Sequence, residues 1–573
     1  MKTFKTIVLA VLLQSLVQVH SQVPFNQTPN WISTDITSVS TGGMFADINQ
    51  DGWLDYVVAN GNDIARQKVV IYYNNGDGTF PTTPNWQSSD IDYHGHLDVG
   101  DINADGYPDV AVSVYIGPSG FNSKGKVKLY LNNAGTLSSN PDWISGDLVY
   151  TFSCALGDAD GDGDLDLAVA GGESYNSNPE QARIYYNNGG VLESLPSWKS
   201  QGFIYSYDVN WFDMENDGDL DLVFANESFP NYIFQNDNGV IGTIPIWQSA
   251  DASMQANSLF LGDVNKDGFI DLAISDNNQL GGTGRFKIYL NNNGMLNTTP
   301  YWSSAFSGYS SGILLADINF DSNIDLITGG WWNPIRIYLN NNGSFNTNPE
   351  YTSSTNSVVE AIFCGDVDKD AASNEYYIFI SKGSKKLFIL PFNNLQAIES
   401  VVVWPDTLPI NEYCFDLENG WVSFQSVPDS GIEVAIDMVV SYDLDLGVTN
   451  WDSNIGNYLF INNLNPVSAN LNEGLPEDYM LYQNYPNPFN PTTKIKFTIP
   501  QTDSPLQGGA RGGLVTLKVY DVLGNEIATL IDEYKPAGIY EVEFNGSELS
   551  SGIYFYQIRT GDFVQSKKMI LIR

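Results

Sequence analysis

Short apolar runs separated by Asp-, Asn- and Gly-rich turns recur along most of the chain, the pattern of strands joined by tight connections. One unit reads Thr151-Phe-Ser-Cys-Ala-Leu-Gly157, an acidic loop from Asp158 to Asp166, then Leu165 to Ala170, Ala182 to Asn188, and Leu192 to Ser200 around Trp198. Four strands per unit, repeated many times, predict an all-β chain folded as a β-propeller, with the acidic loop joining the first two strands of each blade as a hairpin.

That loop carries the chemistry. In Asp158-Ala-Asp-Gly-Asp-Gly-Asp-Leu-Asp166, carboxylates fall at positions 1, 3, 5 and 9. Calcium is a hard cation that takes about six to eight oxygens, and alternate residues of a tight loop can aim carboxylates at one centre. Asp158, Asp160, Asp162 and Asp166 are therefore candidate ligands, Asp164 adds a backbone carbonyl at position 7, and Gly163 supplies the positive φ of a sharp turn. One copy alone could also be a polar Asp-Gly surface turn, the weaker of the two readings. The loop recurs intact, however, at Asp47, Asn49, Asp51, Trp53 and Asp55, at Asp101, Asn103, Asp105, Tyr107 and Asp109, at Asp213, Glu215, Asp217, Asp219 and Asp221, and at Asp263, Asn265, Asp267, Phe269 and Asp271. In each of these the fourth residue named offers its backbone carbonyl.

A sixth copy, Asp317, Asn319, Asp321, Asn323 and Asp325, keeps every ligand position but has Ser322 in place of the turn glycine, which should strain it. A seventh keeps Asp366, Asp368 and Asp370 but has Asn374 where the last carboxylate belongs. An eighth, Asp437 to Asp445, has Val439 and Ser441 at positions 3 and 5 and is expected to bind nothing.

A second marker runs in step with the loops. Trp31, Trp86, Trp143, Trp198, Trp247, Trp302, Tyr351 and Trp421 each precede the first loop residue by 15 or 16 positions. Fixed spacing of this kind predicts eight homologous units of 50 to 57 residues, the last swollen by an insertion near Leu395 to Gly420. A fourth-type strand, Phe25 to Ser33, precedes the first unit, and the last third-type segment, Asn457 to Asn463, has none after it. The N-terminal strand is thus expected to complete the final blade and seal its edge.

The repeated Asp-x-Asn/Asp-x-Asp-Gly-x-x-Asp hairpins, followed by runs such as Leu165-Asp-Leu-Ala-Val169, resemble FG-GAP/VCBS repeats, the blades of integrin α-subunit-like propellers, over Phe25 to Asn463. The resemblance implies structural Ca2+ in the hairpin loops and a role in adhesion or ligand binding. Such propellers often have seven blades; the unit count here predicts eight, with seven as the alternative.

Charge and composition narrow the setting. With 26 Lys+Arg against 67 Asp+Glu the formal net charge is -41, which disfavours nucleic acid or an anionic membrane surface as partner and favours metal cations. Met1 to Lys5 followed by the mostly apolar Thr6 to Gln18 reads as a signal peptide cut after Ser21, and no later stretch is long and apolar enough to predict a transmembrane segment. Three cysteines, Cys154, Cys364 and Cys414, do not make a disulfide scaffold and read as small buried hydrophobes.

The C-terminal hundred residues differ. Residues 474–573 hold 9 Lys+Arg and 11 Asp+Glu, a net of -2, so -39 of the -41 lies in residues 1–473. Alternating runs such as Thr493 to Ile499 and Val515 to Asp521 predict a small Ig-like antiparallel β-sandwich, interrupted by a Gly-rich loop at Ser504 to Gly513. The order Tyr485-Pro-Asn-Pro-Phe-Asn-Pro491, Val519-Tyr-Asp-Val-Leu-Gly524, Gly538-Ile-Tyr540, Ser551-Gly-Ile-Tyr-Phe-Tyr556 and Lys567 to Arg573 resembles the type IX secretion sorting domain over 478–573. This implies export across the outer membrane of a Gram-negative cell, to the medium or the cell surface, with the secretion machinery as partner. The expected organisation is a signal peptide at 1–21, a propeller at 22–465, a linker at 466–477 and the sorting domain at 478–573.

No nucleophile elbow, phosphate loop, His-Glu-x-x-His or Cys-x-x-Cys appears. His94 and His96 would share a strand face, but no third metal ligand can be named, and a packed or surface pair explains them. Aromatic residues suit blade packing; Trp211, Trp331 and Trp332, off the repeated marker position, are the candidates for carbohydrate stacking. The functional expectation is a non-enzymatic, calcium-binding propeller for adhesion or for a polysaccharide or protein ligand. The alternative is an extracellular polysaccharide-degrading enzyme, for instance a lyase.

Overall fold

The structure is a computed structural model that describes residues 23–463, apart from 36–37, 252–254, 280, 405 and 453, and residues 480–572, apart from 482–483, 485–486, 488, 500–511, 523–524, 537, 548 and 561–562. It divides into two compact units, Met1–Leu464 and Asn465–Arg573. The signal-peptide reading, the linker at 466–477 and residues 504–511 of the Gly-rich loop fall outside the described residues. No helix among the described residues is long and apolar enough to cross a membrane.

The first unit is a closed ring of antiparallel sheets. Its innermost strands, Ser40–Ala46, Tyr93–Gly100, Thr151–Gly157, Ser206–Phe212, Ala256–Gly262, Ser310–Ala316 and Ser357–Gly365, pack each against the next and the last against the first. From each the sheet runs outward, as from Thr151–Gly157 to Asp166–Gly171, Arg183–Tyr185 and Trp198–Lys199. The second strand is buried along its whole length because neighbouring sheets cover both of its faces, which is why it reads as a continuous apolar run and not as an alternation. Trp31–Ile32 completes the last sheet, with Trp31 opposite Leu459 and Ile32 opposite Tyr458, and Phe25 bridges to Asn462 beyond it.

Seven such groups of strands form among the described residues, not eight, the sixth and seventh joined into one eight-stranded sheet where Trp331 pairs with Val358. The segments counted as seventh and eighth units are two halves of one: Ser357–Gly365 pairs directly with Asp445–Asn450, which pairs with Tyr458–Phe460. Between them stands an insertion much longer than expected. It is built of Ala372–Ile380, Glu433–Ser441, Ala397–Val403 and Asp406–Thr407 in one sheet and Leu387–Ile389, Trp421–Phe424 and Tyr413–Asp416 in another. Trp421 and Asp437 keep the spacing of the repeat by coincidence. Trp421 lies on an insertion strand but is buried in a core shared with the ring sheets, and Asp437 sits mid-strand opposite Tyr376; any inserted sheet of alternating strands imitates a blade in sequence.

The second unit holds two antiparallel sheets. Met480–Leu481, Thr492–Ile499 and Gly538–Asn545 form one; Glu526–Pro536, Gly512–Tyr520, Gly552–Thr560 and Phe563–Leu571 form the other. They share a core that includes Ile495, Phe497, Val515, Leu517, Tyr556 and Met569. Gly512 and Gly513, expected in the loop, already belong to a strand.

Candidate functional site

The acidic loops sit where the hairpin reading puts them, between the first and second strands of their sheets, at one end of the ring. Backbone N–H groups wire five of the loops alike. In the third, Asp158 Oδ1 accepts from Asp162 N–H (2.9 Å) and Oδ2 from Gly163 N–H (3.1 Å), Asp160 Oδ1 from Asp162 N–H (3.2 Å), and Asp162 Oδ1 from Asp164 N–H (3.0 Å). The same bonds recur at Asp47, Asn49 and Asp51, at Asp101, Asn103 and Asp105, at Asp263, Asn265 and Asp267, and at Asp317, Asn319 and Asp321. In the fourth loop Asp213 and Asp217 keep theirs, while the longer Glu215 takes the Gln235 amide on one oxygen and leaves Oε2 buried without a donor. Asp158, Asp160 and Asp166 carry oxygens all within 4.8 Å of one another, as do Asp366, Asp368 and Asp370, a grouping that could hold a metal ion.

Position 6 needs the left-handed region. Gly163 has φ 92° and Gly218 φ 99°, whereas Ser322 of the sixth loop is held at φ 65°, where a side chain costs roughly 1–2 kcal/mol. Asn374, read as the failed last position of the seventh loop, lies instead in the insertion strand opposite Val439; Asp445 takes the ninth place.

Burial and crowding set the electrostatics. Burial raises the carboxyls of Asp55, Asp109 and Asp271 to about 7 and that of Asp221 to about 9, with neighbouring carboxylates adding to the shift; Asp166, Asp325 and Asp445 rise in the same way. Asp158 rises to about 7, and Asp101, Asp213, Asp317 and Asp366 to about 6. These groups ionise against one another and against desolvation, the condition that a central cation reverses.

A residue the sequence reading passed over ties the loops together. At the end of each third strand stands a buried Asn: Asn74, Asn132, Asn187, Asn236, Asn291, Asn340 and Asn462. Its N–H donates to Oδ1 of the position-9 Asp of its own sheet, at 2.7–2.9 Å, and its side-chain amide donates to the position-2 carbonyl of the preceding loop, at 2.7–3.0 Å. Asn74 reaches back to Val367, so the series closes. The repeated aromatic forms a second latch at the rim: the indoles of Trp31, Trp86, Trp198, Trp247 and Trp302 donate to carbonyls of the next sheet, Trp31 again bridging last to first through Phe80.

The insertion folds over the loops. Lys385 and Lys386 place their ammonium groups on the carbonyls of Asn216 and Gly161, and the Ser423 hydroxyl donates to Asp158 Oδ2 (2.5 Å). Its turn carries Asp416, Glu418 and Asn419 into the cavity on the ring axis, beside Asp98, Asp208 and Asn210 of the innermost strands.

At the other end of the same strands, aromatic and polar side chains from several sheets meet. Tyr175 and Trp332 are 47% and 50% exposed, and Trp332 packs edge-on against Tyr309 and Trp451. Among them, Glu227 takes the Ser174 hydroxyl, and Glu360 takes the Trp331 indole (2.7 Å). Trp331 is buried and so is Trp211, whose indole donates to Ala155 O (3.2 Å); of the three stacking candidates Trp332 alone is exposed. His94 and His96 are both buried and face different neighbours: His94 Nδ1 is 2.8 Å from Asn60 O, and His96 Nδ1 is 3.6 Å from Asp208 Oδ1. The ammonium of Lys128 already bridges Asp90 and Asp92 beside His94. The three cysteines are free thiols whose pKa burial raises.

The FG-GAP-like repeat family matches residues 47–112, 114–169, 213–274 and 263–328, and the FG-GAP repeat matches 96–130. The secretion system C-terminal sorting domain matches 483–572. No curated protein matches the chain. Loops, sheets and tail together make this a secreted or cell-surface FG-GAP-repeat protein with a C-terminal type IX secretion sorting domain.

Proposed function

We propose that the acidic loops hold structural calcium ions and that the braced ring, a seven-bladed propeller, binds an extracellular polysaccharide or protein on the face opposite the loops without catalysis. The observation that carries this reading is the pocket there in which the half-exposed Tyr175 and the buried Trp331 meet the buried hydrogen-bonding groups Glu227, Asn257 and Asn277, with the exposed Trp332 next to Trp331 in the chain. Flat rings beside fixed amides and carboxylates suit sugar rings, which offer apolar faces and equatorial hydroxyls. The sorting domain delivers the ring to the secretion machinery and the outside of the cell, where calcium is abundant enough for loops of this kind.

A glycan array on the mature protein, with and without chelator and paired with a depolymerisation assay, tests the reading. Capture without cleavage, weakened in Trp332→Ala at unchanged melting temperature, is the expected result. Product release would overturn it in favour of a polysaccharide-degrading enzyme, a second reading favoured by the Glu227 carboxyl, which burial raises and which hydrogen-bonds the Ser174 hydroxyl beside Tyr207. Chelation alone should lower the melting temperature, since a site at 100 times its Kd adds about 2.7 kcal/mol. An unchanged midpoint would remove calcium from the account.

A further inference from the structure

The pocket on the face opposite the loops contains two polar atoms that the protein itself leaves unanswered. Glu227 is 4% exposed: its Oε2 accepts the Ser174 hydroxyl, while its Oε1 meets no donor within the protein. Asn277 is 5% exposed: its Oδ1 accepts from Gln279 N–H at 2.9 Å, while its Nδ2 meets no acceptor. Both residues line the same pocket, walled by Tyr175, Tyr207 and Trp331. One atom wants a proton and the other a lone pair, and burying either unmet is unfavourable.

This pairing and the size of the pocket define a chemical class. A hydroxyl both donates and accepts, so it can serve Glu227 Oε1 and Asn277 Nδ2 alike. Carboxylate and sulfate oxygens only accept and an ammonium only donates, so each leaves one of the two atoms unmet, and an anion also confronts the Glu227 carboxylate. The enclosed space is about 20 Å3, where a single water needs about 10–15 Å3, so it admits one hydroxyl and neither a carboxylate nor a sulfate. Among the described residues no lysine or arginine lines the pocket to offset an anion, and Lys124, on the strand whose Phe121 packs against Tyr175, is held by Glu180. At longer range the net charge of -41 repels polyanions.

We propose that this pocket seats one hydroxyl of an uncharged polysaccharide, which donates to Glu227 Oε1 and accepts from Asn277 Nδ2 while its sugar ring lies on Tyr175, and that the site discriminates against uronic-acid and sulfated polymers. This narrows the ligand class and rests on the reading that this face of the ring binds a ligand.

Isothermal titration calorimetry of the mature full chain in calcium tests it, with uncharged gluco-, xylo- and manno-oligosaccharides set against oligogalacturonates, sulfated galactan fragments and glucosamine oligomers. At least one uncharged series should bind roughly tenfold or more tighter than any charged one. Glu227→Gln, at unchanged melting temperature, should weaken that series about tenfold by removing the charged acceptor. Tyr175→Ala, at a half-exposed position that leaves no core defect, should weaken it as well. Tighter binding of a charged series, or an uncharged affinity that neither substitution moves, overturns the inference and leaves the ligand-binding face standing. Failure of every series overturns the inference together with the polysaccharide side of the proposed function, leaving a protein ligand.

Discussion

Replacing Asn340 tests whether the ring is held by its asparagine relay. Asn340 is 2% exposed; its side-chain amide donates to Val264 O of the preceding loop at 2.7 Å and to Ile324 O at 2.9 Å, and its Oδ1 accepts from Gly343 N–H at 2.7 Å. Asn340→Ala leaves two carbonyls and one N–H without partners. At roughly 1 kcal/mol for each group so stranded, the loss should be about 2–3 kcal/mol. Asn340→Asp keeps the shape but turns a second oxygen toward the two carbonyls and adds charge near Asp325, whose Oδ1 already accepts the Asn340 N–H at 2.7 Å. At neutral pH it should cost more than the alanine, and the difference should shrink at pH 5 as the new carboxyl takes up a proton that it can donate. The assay is urea unfolding of the mature protein in saturating calcium, followed by tryptophan fluorescence at both pH values. An alanine variant within about 0.5 kcal/mol of wild type, or an aspartate variant as stable as the alanine at pH 7, would refute the reasoning.

Ser322→Gly should stabilise the protein by about 0.5–1 kcal/mol, because the relief of a side chain at positive φ exceeds the added freedom of the unfolded chain; an unchanged or lower midpoint in calcium would count against strain in the sixth loop. The axial cavity supplies a pH dependence. Burial, and then Asp416, raise the Asp98 carboxyl to about 7, with Glu418 and Asp208 also facing the cavity. The unfolded group titrates near 3.9, so between about pH 4 and 7 the folded chain keeps a proton that the unfolded chain releases, and stability is lost as pH rises through this window. Asp98→Asn removes that loss: its advantage over wild type should be larger at pH 8 than at pH 4.5, and equal differences at the two pH values would sink the assignment.

The loops were legible because oxygen-bearing side chains recur at fixed spacing, Asp at positions 1, 5 and 9, as in Asp158, Asp162 and Asp166, and Asp, Asn or Glu at position 3, as in Asp160, Asn103 and Glu215. The closing strand was legible by counting, since Trp31 lay before the first loop and nothing like it followed Asn463. The asparagine relay was not, because its partners are backbone carbonyls, which carry no identity in a sequence, and Asn after a strand is ordinary turn chemistry. The insertion deceived for a related reason: its own strands and Trp421 supplied aromatic residues and alternation at the repeat spacing, and only pairing distinguishes Asp445 as the end of a loop begun at Asp366. The stacking candidates divided on tertiary burial alone, with Trp211 and Trp332 indistinguishable until neighbouring sheets are in place.

Every position-2 peptide of the ring stands at a junction. Its carbonyl accepts from the Asn of the following sheet, and in six of the seven loops among the described residues its N–H donates to Oδ2 of its own position-9 Asp, as Ala159 does to Asp166 (2.9 Å). That Asp in turn holds, through Oδ1, the Asn that grips the loop before. The sixth loop holds this contact most loosely: Ile318 N–H still favours the Asp325 carboxylate, but no full hydrogen bond to Oδ2 forms, in the same loop that carries Ser322 at positive φ. Any cation that orders one position-9 carboxylate therefore orders the grip on its neighbour as well, so loops joined this way should gain and lose metal in concert, with the break opening at the sixth. Calcium titrations followed by melting should be steeper than those of independent sites, and Ser322→Gly should steepen them further. A shallow titration unchanged by that substitution would show that the loops act singly.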